Sequence, residues 1–341
     1  MIRTAVVGLG YWGPNLVRAF DATEGAELAA VCDLDRERLN AVSQRYAVAT
    51  TQQLDEVLSD RGIDAVAIAT PAESHFELAD RCLRAGKHVY VEKPLTTAAA
   101  DARRLVATAR ERRRTLMVGH IFLYDAAVAR LAELIDAGAV GAVRYVHGIR
   151  TSMSGTARLD TNVVWDSLVH DSYMLPRLLG NAPERVLVTG AGYLSPGIED
   201  VAFATFDFGA GVLAHVYASW YALEKTRRYT VIGSDAILVY DDLAPSRLVR
   251  YRRGYAAGDE RDPQGRFRWH WRDEGEEPIP VDLGEPLRAE CQHFVDCVRQ
   301  GRAPRSDGRQ GLESVRILEA CDQSLAQGGV WMTVDMRDGG T

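Results

Sequence analysis

The chain is predicted to be an α/β protein, with a doubly wound parallel sheet at its N-terminal end and a second, α+β domain after it. Three observations predict this. From residue 2 to about 120, short apolar runs alternate with stretches of helical periodicity. After Gly119 the alternation gives way to a succession of strands joined by tight turns. A length of 341 residues is also more than one core ordinarily organises, so two domains are expected, 1–121 and 122–341.

In the first domain the predicted strands are Arg3–Val7, Leu28–Cys32, Ala65–Ala69, His88–Glu92 and Leu116–Gly119. Several are apolar nearly throughout, as strands covered by helices on both faces must be. Between them, Phe76–Arg84 and Ala98–Arg112 carry apolar residues at helical spacing. Beyond Gly119 come a helix (Ala126–Ala137), a strand (Arg144–Ile149) and a second helix (Asp166–Leu179). Five strands follow, Arg185–Gly190, Val201–Phe208, Val212–Trp220, Arg228–Ile232 and Ile237–Tyr240, and turns such as Gly209-Ala210-Gly211 imply antiparallel pairing. The polar stretch Arg252–Glu277 reads as a long exposed connection, in which Trp269 and Trp271 suit an oligomer contact or an edge strand better than a sugar-stacking platform. Helices near Leu287–Arg299 and Leu312–Gln327 close the pattern.

Composition narrows the function classes. A hydrophobic fraction of 47% and a charged fraction of 26% are those of a globular protein, and no apolar run reaches the ~18 residues of a membrane span. Met1 to Gly10 reads as a strand leading into glycines rather than a signal peptide, so a cytoplasmic protein without a membrane partner is expected. The net charge of −7 is spread along the chain and implies no nucleic-acid surface. The Arg110–Arg114 cluster sits at a helix C-terminus, where cations suit the dipole. Five cysteines without CxxC spacing read as reduced core thiols, and eight histidines include no HExxH pair, so no metal is expected.

The first strand runs into Gly8-Leu9-Gly10-Tyr11-Trp12-Gly13, a GxGxxG pattern in the context of strand, turn and helix. Gly8 permits the turn, Gly10 lets the backbone approach a pyrophosphate, and Gly13 lets the helix pack closely on the strand. The phosphates would meet the unpaired N–H groups of the helix N-terminus. Asp33 follows the second strand about twenty residues after Gly13, where a carboxylate accepts from the adenosine ribose hydroxyls. The same carboxylate repels a 2′-phosphate, so NAD is expected over NADP, with Arg36 placed to soften the preference. This is the fingerprint of a Rossmann domain.

Further motifs follow in order: Thr70-Pro71 with Ser74-His75, then Ala85-Gly86-Lys87-His88-Val89, then Glu92-Lys93-Pro94. Val118-Gly119-His120, Trp165 to Asp171, Glu285-Pro286-Leu287-Arg288 and Ser306-Asp307-Gly308 extend the series. The ordered set, which spans essentially the whole chain, resembles the Gfo/Idh/MocA family of oxidoreductases. The resemblance implies a C-terminal domain with a large, open, mostly antiparallel sheet that often also serves oligomer contacts, here a homo-oligomer, dimer or tetramer. It implies oxidation or reduction of a secondary hydroxyl of a sugar, inositol or nucleotide sugar. It places the cofactor among Gly8, Gly10, Tyr11, Trp12, Gly13, Asp33, Thr70, Pro71, His75, Glu92 and Lys93, and it assigns catalysis to Lys93, Asp166 and His170.

Chemistry agrees with those three. Lys93 follows the C-terminal end of a parallel strand, the edge where open α/β sheets bind ligands. Asp166 and His170 are four apart in a helical pattern, so both side chains lie on one helix face. Moving a hydride from a carbinol carbon requires loss of the hydroxyl proton, and a neutral imidazole, with a reference pKa of about 6.5, can accept it. His170 is therefore the expected base. Lys93 would stabilise the alkoxide, and Asp166 would hold the substrate or tune its neighbours. His75 is open between a place near the cofactor and a satisfied structural role, and Tyr124 between bordering the substrate and anchoring interdomain packing.

The run Arg158 to Asp166, ending in His170-Asp171, is similar to the branch of the family that contains UDP-N-acetylglucosamine 3-dehydrogenases, whose relatives occur in antibiotic amino-sugar pathways. Tyr124, Asp125, Arg158 and Asp171 are the expected substrate contacts. Asp125, Asp160, Asp166 and Asp171 would make an acidic pocket for a cationic aminoglycoside, whereas Arg150 and Arg158 would hold a diphosphate. Two other classes stay open. One is an NAD-dependent glycosidase with transient sugar oxidation and no net NADH. The other is a non-catalytic NAD-binding sensor, against which the intact Lys93, Asp166 and His170 weigh.

Overall fold

A computed structural model of the protein describes residues 1–153 and 161–337, without the side chains of 255–260, 267–269 and 271. The chain divides into two compact units, Met1–Asp125 with Gly284–Glu319, and Ala126–Leu283 with Ala320–Thr341.

The first unit is a six-stranded, all-parallel sheet. Its strands are β1 (Ile2–Val7), β2 (Ala26–Cys32), β3 (Ala49–Thr51), β4 (Ala65–Ile68), β5 (His88–Glu92) and β6 (Leu116–Gly119), in the order β3-β2-β1-β4-β5-β6. Every residue of β4 is inaccessible to solvent, as is the Val89–Val91 stretch of β5. A parallel sheet covered on both faces demands that. Helices α1 (Gly13–Asp21), α2 (Arg36–Ser43), α3 (Leu54–Ser59), α4 (His75–Arg84) and α5 (Ala99–Arg112) make the crossovers. Asp35 starts α2 by accepting from the Glu37 and Arg38 N–H groups.

Helix α8 (Pro286–Gln300) and most of α9 (Gly308–Ala326) belong to this first unit, not with the rest of 122–341. The cause is packing. Phe294 of α8 meets Phe20 and Tyr90 edge to face, at 6.2 and 6.0 Å between ring centres, and a contact of that kind leaves no mark in local sequence pattern.

The second unit is built on a nine-stranded sheet. It contains β7 (Val143–Met153), β8 (Arg185–Ala191), β9 (Val201–Asp207), β10 (Leu213–Ser219), β11 (Tyr221–Gly233), β12 (Ile237–Asp241), β13 (Leu248–Arg261), β14 (Phe267–Pro278) and β15 (Met332–Thr333). The order is β14-β13-β12-β11-β7-β10-β9-β8-β15, antiparallel except where β7 runs parallel to β10. Helices α6 (Ala126–Asp136) and α7 (Val169–Leu179) pack on one another. The expected turn at 209–211 is present, with all three residues at positive φ between β9 and β10.

One expectation is overturned. The stretch Arg252–Glu277 is not a connection but the greater part of the β13–β14 hairpin, paired from Val249↔Pro278 to Arg261↔Phe267. Its charged side chains hide the alternation that marks a half-buried strand, and cross-strand pairs such as Arg253 with Asp273 (2.9 Å) hold it instead. β14, which carries Trp269 and Trp271, is an edge strand. Among the described residues no helix is long and apolar enough to cross a membrane.

Candidate active site

The glycine turn opens at the carboxyl end of β1. Gly8 sits at φ +89°, and a Cβ there would stand 2.7 Å from Thr70 Cγ2. A Cβ on Gly13 would come 2.1 Å from the Gly8 carbonyl oxygen, so helix and turn touch backbone to backbone. Gly10 differs. Only the Arg38 guanidinium, at 3.9 Å, lies near its missing side chain, which leaves the space a pyrophosphate needs. The N-terminus of α1 has no side-chain cap, with Pro14 in its first turn, so its donors are not taken by a capping side chain. Tyr11 is largely exposed and meets the Trp12 ring at 5.9 Å, edge to face.

Asp33 reaches back to this turn. Its Oδ2 accepts from the Leu9 N–H at 2.5 Å, and its Oδ1 accepts from the Asp35 N–H at 2.7 Å. A carboxylate has about four acceptor sites, so lone pairs remain for ribose hydroxyls. The arginine beside it is Arg38, 4.0 Å from Oδ2, and not Arg36, which makes no ion pair among the described residues. One helical turn carries position 38, but not 36, back over the loop.

Two loops at the carboxyl ends of β4 and β5 are tied together by His75. Its buried ring lies 2.8 Å from the Pro94 carbonyl oxygen and 2.9 Å from that of Thr70. Burial pushes the imidazole down, so the neutral ring donates to one carbonyl at a time. His75 thus ties the loops after β4 and β5 to each other. Thr70 is also held by the Ser74 hydroxyl at 2.7 Å, and Pro71 leads the short 3₁₀ turn Ala72–Ser74. The Lys93–Pro94 peptide is cis, and Lys93 is half-buried. Glu92 ends β5 immediately before this peptide. It is buried, accepting from the Lys93 N–H at 3.3 Å, with Tyr90 Oη 3.5 Å away. His120, which sequence reasoning carried only as part of a motif, is buried against Gln310 at 2.5 Å, and burial pushes it down to about 3, helped by the charge of Lys93.

In the second unit the Asp166/His170 segment is not a regular α-helix. Val164–Leu168 forms a π-helical turn that passes into α7 at Val169. Such turns hold one more residue than an α turn and recur at functional sites. Asp166 Oδ2 accepts from the Trp220 indole N–H at 3.1 Å, a contact between distant residues that no local motif reveals. His170 Nδ1 lies 2.7 Å from Tyr173 Oη. Action as a base through Nε2 requires the tautomer in which Nδ1–H donates to Tyr173.

Three of the four expected substrate contacts lie inside the protein, and the fourth, Arg158, is outside the described residues, as is Asp160. Tyr124 donates to or accepts from Ser306 at 2.9 Å, beside the His293 ring, so it anchors the returning segment within the first unit. Asp125 is 3% exposed. Asp171 is fully buried, accepts from the Tyr229 hydroxyl, and pairs with Arg150 Nε at 3.2 Å. Burial alone would depress the Arg150 guanidinium; Asp171, Tyr229 and Tyr173 together more than offset it and raise it. Asp125 and Asp171 therefore form no acidic surface, and Arg150 is committed to Asp171 rather than to a diphosphate.

A parallel sheet whose glycine turn has room for a pyrophosphate, donors for its charge and a carboxylate for its ribose defines an NAD-dependent oxidoreductase. The chain belongs to the Gfo/Idh/MocA family: residues 2–120 match its oxidoreductase domain, an NAD-binding Rossmann fold, and residues 128–239 match its C-terminal domain. It is 40% identical over 322 residues to a dTDP-3,4-didehydro-2,6-dideoxy-alpha-D-glucose 3-reductase of Streptomyces violaceoruber, covering 90% of this chain and 89% of that one. It is 30% identical over 324 residues to a UDP-N-acetylglucosamine 3-dehydrogenase of Acidithiobacillus ferrooxidans, covering 94% and 96%. A solved structure of the Acidithiobacillus ferrooxidans enzyme superimposes with a TM-score of 0.82 at 27% identity, covering 96% and 98%.

Proposed function

We propose that the protein is an NAD-dependent dehydrogenase acting on a secondary ring hydroxyl, at carbon 3, of a nucleotide sugar. The observation that carries this reading is the near full-length likeness to two proteins named for reactions at position 3 of a nucleotide sugar. The burial of Asp125 and Asp171 supports it by removing the acidic pocket that favoured a cationic aminoglycoside. NAD, when bound, supplies the hydride acceptor. His170 takes the hydroxyl proton at Nε2, with Tyr173 fixing the tautomer. The Lys93 ammonium stabilises the developing alkoxide. Asp166, steadied by Trp220, orients the substrate. The test is a screen of UDP- and dTDP-sugars, aminoglycosides and inositols with NAD, followed as NADH. Turnover of an aminoglycoside or inositol alone would refute the nucleotide-sugar assignment.

The same reading sets cofactor choice. NAD is expected to bind more tightly than NADP by about tenfold or more, because Asp33 repels a 2′-phosphate. In Asp33→Ala the gap should close, with Arg38 left to attract the phosphate. Equal dissociation constants for the two cofactors in the wild type would remove the role given to Asp33.

The protein is further proposed to form a homo-oligomer through the open face of its large sheet. Tyr145, Phe203 and Leu213 are 50, 44 and 42% exposed there, and Phe203 stacks on Tyr217 at 5.1 Å. These exposed side chains share one face, with the row His147, His215 and Thr205 between them, and large exposed apolar side chains grouped on a sheet face suit an interface. Phe203→Glu is expected to shift the sedimentation coefficient to that of a monomer. A wild type that is monomeric at micromolar concentration would contradict the proposal.

A further inference from the structure

Behind the Glu92-Lys93-Pro94 loop lies a buried pair of carboxyl groups that no motif announces. Glu290, on α8, is completely buried, and Glu92, at the end of β5, is 8% exposed. Tyr90 stands between them, its hydroxyl 3.0 Å from Glu290 Oε2 and 3.5 Å from Glu92 Oε1. The second oxygen of Glu290, Oε1, has no hydrogen-bond partner, and among the described residues Glu290 has no cationic partner. Gly119 of β6 closes the space, since a Cβ there would stand 2.7 Å from Tyr90 Oη and 3.0 Å from Glu92 Oε2.

Two ionised carboxylates cannot share this place. A buried anion without a cation is strongly disfavoured, and a second one adds repulsion. Burial holds Glu290 well above the usual carboxylate range, as a neutral acid. Burial also pushes Glu92 up to about 7, while Lys93 pulls it back. Among the described residues, burial raises Cys291 and Tyr124, which also sense Glu290, and lowers His120, which follows Gly119. Proton counting then explains the geometry. The Tyr90 hydroxyl can donate to only one acceptor, so its contact with Glu92 is completed when Glu92 is protonated and donates to Oη.

We propose that Glu290 and Tyr90 are positioning residues for Lys93: they back the Glu92 carboxyl from behind and so set the charge and placement of the Glu92-Lys93-Pro94 loop. This rests on the role of Lys93 proposed above. With Glu92 protonated, its carboxyl no longer opposes the charge of Lys93 on the alkoxide. As pH rises through the Glu92 ionisation that advantage is lost.

Infrared spectra of the full-length protein across pH test the pair without turnover. Wild type should show the C=O stretch of a protonated carboxylic acid that persists at neutral pH and is lost in Glu290→Gln. A second such band should titrate near neutrality and be lost in Glu92→Gln. In kinetics, Glu290→Leu should lower kcat by about tenfold with NAD affinity retained. Glu290→Gln, which copies the neutral acid, should restore most of it. Absence of both bands at neutral pH would overturn the pair, and a Glu290→Leu enzyme with wild-type kcat and pH profile would overturn its positioning role. If Lys93→Ala keeps full kcat, the assignment of Lys93 fails instead, and the infrared bands still decide the pair separately.

Discussion

Replacing His170 with alanine is expected to lower kcat for oxidation by about 10²–10⁴-fold, the range of a lost general base. Wild-type kcat should rise with pH through an ionisation that vanishes in the variant. NAD affinity should survive, because the elements proposed to hold the dinucleotide, the glycine turn and Asp33, belong to the first unit and His170 to the second. Tyr173→Phe separates tautomer control from base action. It removes the partner of Nδ1 at 2.7 Å, so it should lower kcat less than His170→Ala while keeping the ionisation. Lys93→Ala should lower kcat and also keep it. The measurement is a pH series of kcat for the four proteins, with cofactor binding determined separately. A His170→Ala enzyme with near-normal kcat and the same pH dependence would transfer the base role elsewhere, first to Lys93.

Asp171→Ala is expected to destabilise the protein by about 3–5 kcal/mol, the cost of breaking a buried ion pair from one side. The carboxylate is completely buried and serves both Arg150 and Tyr229, so its loss leaves a buried guanidinium uncompensated and a buried hydroxyl without its acceptor. Replacing both partners, as Arg150→Met with Asp171→Leu, should cost far less, because no charge is then left behind. Urea midpoints of wild type, single and double variants decide this. Unchanged stability in Asp171→Ala, together with a raised KM, would return Asp171 to the substrate-binding role its neighbourhood to His170 had suggested.

Asp171 shows where local reading reaches its limit. Next to His170 in the chain, it shares that residue's motif, yet α7 turns it into the core while His170 stays half-buried. Exposure of a helical residue depends on what packs against each face, and here that is Arg150 and Tyr229, 21 and 58 residues away. Arg38 makes the same point on a smaller scale, since helical geometry selects it over Arg36 as the neighbour of Asp33. The hairpin at 248–278 leaves no apolar periodicity in the sequence, because charge fills its surface.

The parallel sheet, the glycine turn with its acidic partner, the cofactor and the family are legible in the order of residues, because they depend on residue type at short, fixed spacing along the chain. Gly8, Gly13 and Asp33 are specified by backbone geometry that local order dictates. Which charges are spent inside the protein, which chain segment returns to the first sheet and which carboxyls meet emerge only when the chain is packed. Glu290 reaches Tyr90 across 200 residues of sequence, and Phe294 finds Phe20 and Tyr90 in the same way. Such contacts follow from burial and close packing, which bring together residues that carry no common pattern in the chain.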